Sequence, residues 1–568
     1  MGQPDDVVLP GTTSPPTPTR RYRVEEEHYS TLHGEPHAMT RSPDGLRLAY
    51  VAAYGRRPFF GIQQPVAPWF VVVDNGAGAI YDRIGDESLA FSPDGTRVVY
   101  VGRRDGCWWV VADEEPSPEP GFDYVDPDSV MFSPEGARLA YVARRGKRWY
   151  LALDGKLRRE QHQVPPEMMT FSPDGARFAY AAKRNGRWVV VEDGQAGPEF
   201  DWIPCQKLAF SPDGSRLGYF GRRGRAWVAV VDGEEGQPSD AMYHWQFVFS
   251  ADGRRYAYGG KRNGKWHLVV DGAVGPPYDY VGADPPIFSP DGARTAYAVS
   301  TVGQANGRRV ERCRVVVDGV PGPEFGFTPP QSIQFSRDGR RLVYVGLKLG
   351  GRCQTRGQRC RVVVDGIPGP EFACAWPVSD AFGLDGEHFC YVAARRVGRG
   401  DRWMVVLDHE LGPEFDGVGG DGLLRSPDGT RSAYVAGSGS GTVAIIDGVA
   451  GPEYEAIGEG HPIFSPDSQH YAYAAKLGYR ACVVLDGSEG PVYEMVGHTS
   501  LSFSPDSQGF AYFASARGKW QCILNGQGGP IYDWTVGDRV VWLPDGSATY
   551  LAVRKSIVFR VTHTPVVG

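Results

Sequence analysis

The chain has 568 residues, of which 60 are Lys or Arg and 67 are Asp or Glu, so its formal net charge is −7 at pH 7. This modest charge gives no specific nucleic-acid signal, and no run of about 18 apolar residues offers a membrane-spanning helix. The nine scattered Cys residues, an odd number, favour a reducing compartment over a disulfide framework, so we expect a cytoplasmic protein.

The first 21 residues are rich in Pro, Thr and Ser and poor in apolar side chains. We therefore predict a disordered tail at residues 1–21, without the apolar core of a signal peptide. Residues 27–32 follow with the pattern of a β-strand, and they precede the first repeat much as residues 452–457 precede a later one.

From residue 42 onwards the chain is a repeat array. Thirteen near-copies of Phe-Ser-Pro-Asp-Gly-x-Arg-x-Ala-Tyr occur, and seven of the twelve intervals between them are 39 residues, which indicates one repeated structural unit. Counted from the Ser or its replacement, the units begin at Ser42, Ser92, Ser133, Ser172, Ser211, Ser250, Ser289, Ser336, Gly383, Ser426, Ser465, Ser504 and Leu543.

Each unit predicts four short strands separated by tight turns. In the unit of Ser211, apolar runs at residues 207–210, 216–220 and 227–231 are separated by Pro-Asp-Gly, a basic loop and Asp-Gly. These are hairpin-turn sequences, and no stretch has a sustained helical period. The strands are apolar on both faces, so neighbouring units must cover each small sheet. We predict an all-β chain, a β-propeller of about 13 four-stranded antiparallel blades.

Two aromatic positions support this prediction. Tyr occupies the same position in all thirteen units, from Tyr50 to Tyr550, and Phe precedes the Ser in ten. We interpret them as packing residues. The Arg that follows the Pro-Asp-Gly turn, as in Arg216, is expected to cap the same hairpin or to pair with its Asp.

The Phe-Ser-Pro-Asp-Gly hairpin gives the unit a family resemblance. It resembles the propeller repeat of the TolB family and of the non-catalytic domain of prolyl-oligopeptidase-type enzymes, and it is WD-like only in a looser sense, because the Gly-His and Trp-Asp signatures are missing. The resemblance covers about residues 37–562 and implies a propeller fold. TolB-like propellers are interaction modules, so the resemblance also implies a binding role.

The blade number and the chain ends predict the domain organisation. The last unit lacks a fourth strand, and we expect the N-terminal strand to complete it. Thirteen blades exceed the usual number of about four to eight, which favours two propellers. We place units 1–7, with the N-terminal closing strand, at residues 22–327, units 8–13 at 328–562, and a tail at 563–568. One very large ring is the alternative.

The loops between the second and third strands all emerge on one face and contain pairs of basic residues. We predict that these pairs bind a partner: Arg103, Arg104, Arg144, Arg145, Lys183, Arg184, Arg222, Arg223, Lys261, Arg262, Arg395 and Arg396. The enlarged loops at residues 300–312 and 347–361 are further candidates. The opposite face is expected to be acidic, because it receives the Asp-containing turns and the Gly-Pro-Glu segments with Glu199, Glu324, Glu371, Glu414 and Glu453. The simpler interpretation is that charged turns only keep a β protein soluble.

We find no sequence signal for catalysis or for a cofactor. There is no Gly-x-Ser-x-Gly motif in a strand-to-helix context, no P-loop and no His-Glu-x-x-His. Cys353 and Cys360 lie in one enlarged loop, and Cys313 lies at the equivalent place one unit earlier; their spacing matches no common zinc motif, and a metal or disulfide role is left open.

The leading functional hypothesis is a non-enzymatic scaffold whose basic rim binds an acidic protein or another anionic partner. The Gly-, Arg- and Ala-rich composition suggests a bacterial protein. One alternative is an enzyme, a lyase or hydrolase, with its active site at a central channel. A second is a self-assembling particle in which the basic face of one copy meets the acidic face of another.

Overall fold

The computed structural model describes residues 20–31, 37–53, 68–85, 87–117, 121–160, 164–204, 208–243, 247–282, 284–305, 308–348, 359–383, 386–398, 400–419, 423–458 and 462–566. These residues form thirteen separate antiparallel sheets and no α-helix. Three single 3-10 turns occur, at Pro127–Ser129, Pro166–Met168 and His498–Ser500. The predicted all-β propeller architecture of thirteen four-stranded blades is confirmed, and in seven blades the first strand is split into two segments.

We number the blades 1–13 along the chain. Blade 1 consists of Ala38–Arg41, Leu48–Ala53, Trp69–Val73 and Gly76–Ala77, and blade 2 consists of Arg83–Ile84 with Ala90–Phe91, Val98–Arg104, Cys107–Ala112 and Glu115–Pro116. Blade 3 consists of Tyr124–Val125 with Met131–Phe132, Leu139–Arg145, Arg148–Leu153 and Lys156–Glu160, and blade 4 consists of Met169–Phe171, Phe178–Arg184, Arg187–Glu192 and Gln195–Phe200.

Blade 5 consists of Ala209–Phe210, Leu217–Arg223, Ala226–Val231 and Glu234–Glu235, and blade 6 consists of Ala241–Met242 with Val248–Phe249, Tyr256–Arg262, Lys265–Val270 and Ala273–Val274. Blade 7 consists of Tyr280–Val281 with Ile287–Phe288, Thr295–Ala305, Arg308–Val317 and Val320–Pro321, and blade 8 consists of Gln334–Phe335, Leu342–Leu347, Cys360–Val364 and Ile367–Phe372.

Blade 9 consists of Cys374–Phe382, Phe389–Val397, Gly400–Leu407 and Glu410–Leu411, and blade 10 consists of Gly417–Val418 with Leu424–Arg425, Ser432–Ser438, Gly441–Ile446 and Val449–Tyr454. Blade 11 consists of Ala456–Ile457 with Ile463–Phe464, Tyr471–Leu477, Arg480–Leu485 and Ser488–Glu489, and blade 12 consists of Met495–Val496 with Ser502–Phe503, Phe510–Ala516, Lys519–Leu524 and Gln527–Tyr532. Blade 13 consists of Trp534–Trp542, Ala548–Arg554, Ile557–Pro565 and Tyr22–Thr31.

The Pro-Asp-Gly turns have the local hydrogen bonds that their sequence predicts. In blade 6 the Ser250 hydroxyl donates to Asp252 over 2.5 Å and accepts the backbone N–H of Arg255 over 2.9 Å. The backbone N–H of Arg254 also donates to Asp252, and these hydrogen bonds, chiefly the one from Ser250, lower the pKa of the Asp252 carboxyl. The carboxylate therefore has a structural role in its turn.

Consecutive blades within each part of the chain pack face to face, as the two-sided apolar strands predict. Phe220 and Ala229 of blade 5 share a core with Ala257 and Tyr258 of blade 6, for example. The Tyr that recurs in every unit is at most 5 % exposed in all thirteen blades. This confirms its packing role, because each sheet is covered by its neighbours' aromatic side chains.

The two chain ends meet in blade 13. Tyr22–Thr31 pairs antiparallel with Ile557–Pro565, from Tyr22 opposite Pro565 to Thr31 opposite Ile557. The predicted closure by the N-terminal strand is confirmed. The last strand reaches Pro565, into the segment predicted as the C-terminal tail, and the predicted N-terminal tail lies outside the described residues except for Arg20 and Arg21.

The chain divides into two compact units, residues 32–371 and residues 1–31 together with 372–568. The first contains blades 1–8 and the second contains blades 9–13, apart from Phe372 at the edge of blade 8. The boundary expected between residues 327 and 328 lies inside the first unit. The assignment of seven and six blades to two closed propellers stays a prediction.

The Arg after each Pro-Asp-Gly turn has a different role from the expected one. Arg216 of blade 5 donates from Nε to Asp232 of the following Asp-Gly turn over 2.8 Å and from NH1 to the Arg254 carbonyl of blade 6 over 3.0 Å. Its guanidinium also lies over the Tyr256 ring of blade 6, 5.0 Å from the centroid. It bonds the next blade rather than the Asp of its own hairpin, so the expectation was wrong. We call such residues staple arginines: Arg47, Arg97, Arg138, Arg177, Arg216, Arg255, Arg294 and Arg431.

Candidate functional site: a row of cations and tryptophans

The loops that join the second and third strands contain the predicted partner-binding residues. In five consecutive blades, 2–6, the first basic residue of each pair lies directly across the hairpin from a Trp of the third strand. We call these ten residues the cation–tryptophan row: Arg103 with Trp108, Arg144 with Trp149, Lys183 with Trp188, Arg222 with Trp227, and Lys261 with Trp266.

Three of the five cations of the row, Arg144, Arg222 and Lys261, lie against indole rings. The guanidinium of Arg144 is 5.7 Å from the Trp149 ring centroid, and the Lys261 ammonium is 5.7 Å from that of Trp266. Arg222 contacts two indoles, at 5.4 Å from Trp202 and 5.9 Å from Trp227. Such contacts stabilise an exposed pair by about 0.5–1 kcal/mol and restrict the side chain without neutralising its charge.

The row cations differ from their sequence neighbours in their charge partners. Among the described residues, no carboxylate forms an ion pair with any of the five. The three arginines of the row are exposed and the two lysines are half-buried. Five positive charges without an ion pair therefore lie on one face of adjacent blades, which attracts anions to that face.

The second member of each basic pair points to the other face of its strand and has structural contacts. Arg184 pairs with the buried Glu160 of blade 3 over 3.0 Å, and Glu160 also accepts a hydrogen bond from Tyr180 over 2.8 Å. Burial, with Glu160 as the second cause, raises the pKa of the Tyr180 hydroxyl. The side-chain hydrogen bond to Glu160 raises the pKa of the Arg184 guanidinium, so Arg184 stays charged at the seam between blades.

The other second members also close seams between blades. Arg223 pairs with Glu235 over 2.5 Å and lies 4.5 Å from the ring centroid of Phe200 in the preceding blade. Arg104 and Arg145 lie over Tyr81 and Phe122 in the same way, and Arg262 donates to the Gln237 carbonyl over 3.2 Å. In blades 2–6 the structure therefore separates the ten predicted residues into row cations without an ion pair and cations that contact the preceding blade.

Blade 9 does not continue the row. Its pair, Arg395 and Arg396, begins four residues after Tyr391, whereas the pairs of blades 2–6 begin three residues after their Tyr. Successive side chains of a strand point to opposite faces, so this offset puts Ala394 across from Trp403. Arg395 instead pairs with Glu414 over 3.5 Å, and Arg396 pairs with Asp401 over 2.7 Å.

The glutamates of the Gly-Pro-Glu segments lie near the basic loops and not on the opposite face, so that expectation was wrong. Glu324 pairs with Arg314 over 2.7 Å, and Glu371 pairs with Arg359 over 3.0 Å. The physical reason is the direction of the fourth strand, which runs from the Asp-Gly turn back towards the basic loops. On the turn face, the Asp of this turn is paired with a staple arginine in eight blades, as Asp271 is with Arg255 over 2.8 Å.

The enlarged loops are only partly described, since residues 306–307 and 349–358 lie outside the described residues, as does Cys353. Cys313 and Cys360 are buried, and the Cys313 thiol donates to Thr328 over 3.3 Å. Burial raises the pKa of the Cys313 thiol, which disfavours the thiolate that a metal needs. In the described part of the chain, no three His, Cys, Asp or Glu side chains are grouped as metal ligands would be.

A cavity of about 550 Å³ lies between blades 1 and 2. His37, whose ring is 4.4 Å from that of Trp69, lines it together with Asp82, Ile84 and Leu89. Trp69 occupies the Trp position of blade 1, but Ala53 lies across from it, so the row has no cation in this blade.

Sequence reasoning found the cations of the row but missed its tryptophans. The signal was present, because a Trp follows the first basic residue of each pair by five positions in blades 2–6.

Within the described residues there is no helix with the length and apolar character needed to cross a bilayer.

No protein-family model and no curated protein matches the chain. Similar solved structures include a eukaryotic initiation factor, 14 % identical with a TM-score of 0.30, covering 71 % of this chain and 94 % of that one. TolB from Acinetobacter baumannii is 12 % identical with a TM-score of 0.20, covering 48 % and 77 %. The β-propeller domain of the Trilobed protease from Pyrococcus furiosus is 11 % identical with a TM-score of 0.22, covering 48 % and 90 %. The propeller architecture of this chain therefore rests on its own thirteen blades.

Proposed function

We propose that the chain is a non-enzymatic binding scaffold whose cation–tryptophan row holds an acidic segment of a partner protein. The observation that carries this proposal is the recurrence of one cation–Trp pair, without a carboxylate partner, in five adjacent blades. A cation already held against an indole loses less conformational freedom on binding than a free side chain. The row is thus a line of positive charge on a rigid frame, preorganised at Arg144, Arg222 and Lys261.

An acidic peptide fits this row better than a single-stranded nucleic acid. Proteins that bind single strands use free aromatic faces on which the bases stack. Three of the five indoles of the row are already in contact with other rings, since Trp149 lies 6.1 Å from Tyr124, Trp227 lies 5.5 Å from Trp202, and Trp266 lies 5.0 Å from Tyr243. Carboxylates need only the exposed cationic groups.

The test is binding of a fluorescent oligo-glutamate peptide of about ten residues, followed by anisotropy at about 50 and 300 mM salt, where charge screening differs strongly. The double variant Arg144→Glu/Arg222→Glu should weaken binding about tenfold or more, equivalent to about 1.4 kcal/mol. The matched control is Arg254→Glu/Arg340→Glu, which changes the net charge equally at two Pro-Asp-Gly turns and whose side chains are 86 % exposed.

The control should change the affinity less than about twofold. Equal weakening by both double variants would mean that only the overall charge matters, and it would contradict the proposal. Tighter binding of a single-stranded oligonucleotide of the same charge would also contradict it, because the row would then be a nucleic-acid site.

A further inference from the structure

Blade 13 obtains its outer strand in an unusual way. In each of the other twelve blades the described fourth strand follows the third through a tight turn, whereas the fourth strand of blade 13 is Tyr22–Thr31 from the far end of the chain. Residues 32–36 connect this strand to blade 1. The strand is grouped with residues 372–568 by its contacts, although it is covalently joined to the other unit.

Specific side-chain contacts hold the strand in place. Glu26 accepts a hydrogen bond from the Tyr532 hydroxyl of blade 12 and pairs with Arg554 of blade 13 over 3.1 Å. Three residues later the Tyr29 ring lies 4.5 Å from the Arg560 guanidinium. Backbone pairing alone would accept many sequences, but these contacts select this one.

Blade 12 is modified to receive the residues before the strand. It has Gly509 where other blades have a staple arginine, and a Cβ there would lie 2.7 Å from the Tyr22 hydroxyl and 2.6 Å from the Trp542 ring. Arg20 of the N-terminal segment pairs instead with Asp506, in the Ser-Pro-Asp turn of blade 12, over 2.6 Å. The groove and the N-terminal segment are therefore matched to each other.

The residue that a staple arginine would contact also differs in blade 12. Asn525 occupies the position of the Asp in the Asp-Gly turns, and its Oδ1 accepts the Phe510 N–H over 2.8 Å as that Asp does in other blades. Its Nδ2 donates to the Arg20 carbonyl over 3.0 Å, which a carboxylate could not do. The Asn525 amide therefore hydrogen-bonds the N-terminal segment, which an Asp side chain at this position could not do by donation.

We infer that blades 12 and 13 form a binding groove for this strand and that the N-terminal strand of a second copy of the chain can occupy it. Every contact described above is independent of which copy donates the strand, so an exchanged dimer keeps the same contacts as the monomer. The connection through residues 32–36 and the protein concentration then set the balance between the two forms. The cation–tryptophan row takes no part in this exchange.

The test uses two full-length chains with complementary charge changes. Glu26→Lys alone places a cation beside Arg554, and Arg554→Glu alone places an anion beside Glu26. In each single variant, two like charges therefore repel each other when the N-terminal strand pairs with blade 13 of its own chain. When the two chains exchange strands, both groove positions regain an opposite-charge pair. The mixture should form a heterodimer with a dissociation constant at least about tenfold lower than that of the wild-type homodimer, measured by light scattering and native mass spectrometry.

The double variant Glu26→Lys/Arg554→Glu in one chain is the matched control and should behave as the wild type. Where either single variant fails to fold, wild-type samples labelled with donor and acceptor dyes replace the pair, and energy transfer should develop during incubation at high concentration. A mixture that stays monomeric, or labelled samples that develop no energy transfer, would overturn the inference.

Discussion

The Nε atom of Arg216 donates to Asp232 over 2.8 Å while its NH1 atom reaches the Arg254 carbonyl of the next blade over 3.0 Å. One side chain thereby joins a turn of its own blade to a turn of its neighbour. Eight staple arginines make the same connection, so the turn face is held together by a repeated polar contact in addition to the apolar seams.

Removal of a staple arginine should destabilise the protein. We expect Arg216→Ala to lower the free energy of unfolding by about 1–2 kcal/mol, because it breaks an ion pair, a hydrogen bond and a ring contact at once. Urea unfolding followed by tryptophan fluorescence measures this. Arg225→Ala, an exposed Arg in the basic loop of the same blade, is the control and should cost less than about 0.5 kcal/mol. Equal effects would mean that the staple adds no stability.

The two members of one basic pair should differ in their effect on stability. Arg223→Met should lower the unfolding free energy by about 1–2 kcal/mol, since it leaves Glu235 without its partner and uncovers Phe200. Arg222→Met, one residue earlier, should lower it by less, about 0.5–1 kcal/mol, because it removes only the contacts with the indole rings. The reverse order in urea unfolding would refute the division of the pairs into exposed and structural cations.

The amide of Asn525 should be required for closure. We expect Asn525→Asp to cost about 1–3 kcal/mol, because the Arg20 carbonyl loses its donor and the groove gains a carboxylate. Thermal unfolding checks this prediction. Asn263→Asp, the same change in an exposed turn of blade 6, is the control and should leave the midpoint almost unchanged. A similar shift for both variants would remove the special role of Asn525.

Buried His563 should make blade 13 sensitive to acid. Burial lowers the pKa of His563 from 6.5 to about 4. Between these two values the unfolded chain binds a proton that the folded chain does not, so this group's contribution to stability is lost as the pH falls from about 6.5 to about 4. The expected loss is roughly 3 kcal/mol. His563→Leu should lessen this pH dependence by that amount in unfolding curves, and an unchanged dependence would contradict the assignment.

A buried glycine in blade 5 should not tolerate a methyl group. A Cβ at Gly221 would lie 2.4 Å from the Phe200 ring of the preceding blade, so we expect Gly221→Ala to cost about 1–3 kcal/mol. Gly400 has no atom within 4 Å of its Cβ position, and Gly400→Ala serves as the control. The control should be neutral or slightly stabilising, because it restricts the unfolded chain. Calorimetry distinguishes the two, and equal midpoints would contradict the close packing at Gly221.

The sequence by itself determined the blades. The spacing of Ser-Pro-Asp-Gly and Asp-Gly turns, the two-sided apolar strands and the constant Tyr predicted thirteen four-stranded sheets and their packing, since turn chemistry and strand alternation are local properties. It also predicted that an N-terminal strand, placed at residues 27–32, completes blade 13, because the last unit lacked a strand; the observed strand is Tyr22–Thr31.

Only the tertiary structure decided what the charged side chains do. Arg222 and Arg223 are neighbours in sequence, but the alternation of a strand sends one towards solvent beside Trp227 and the other into a seam with Glu235. The partner of Arg216 on the next blade is 38 residues away in the chain. Such pairings depend on how neighbouring sheets face each other, which no local pattern specifies.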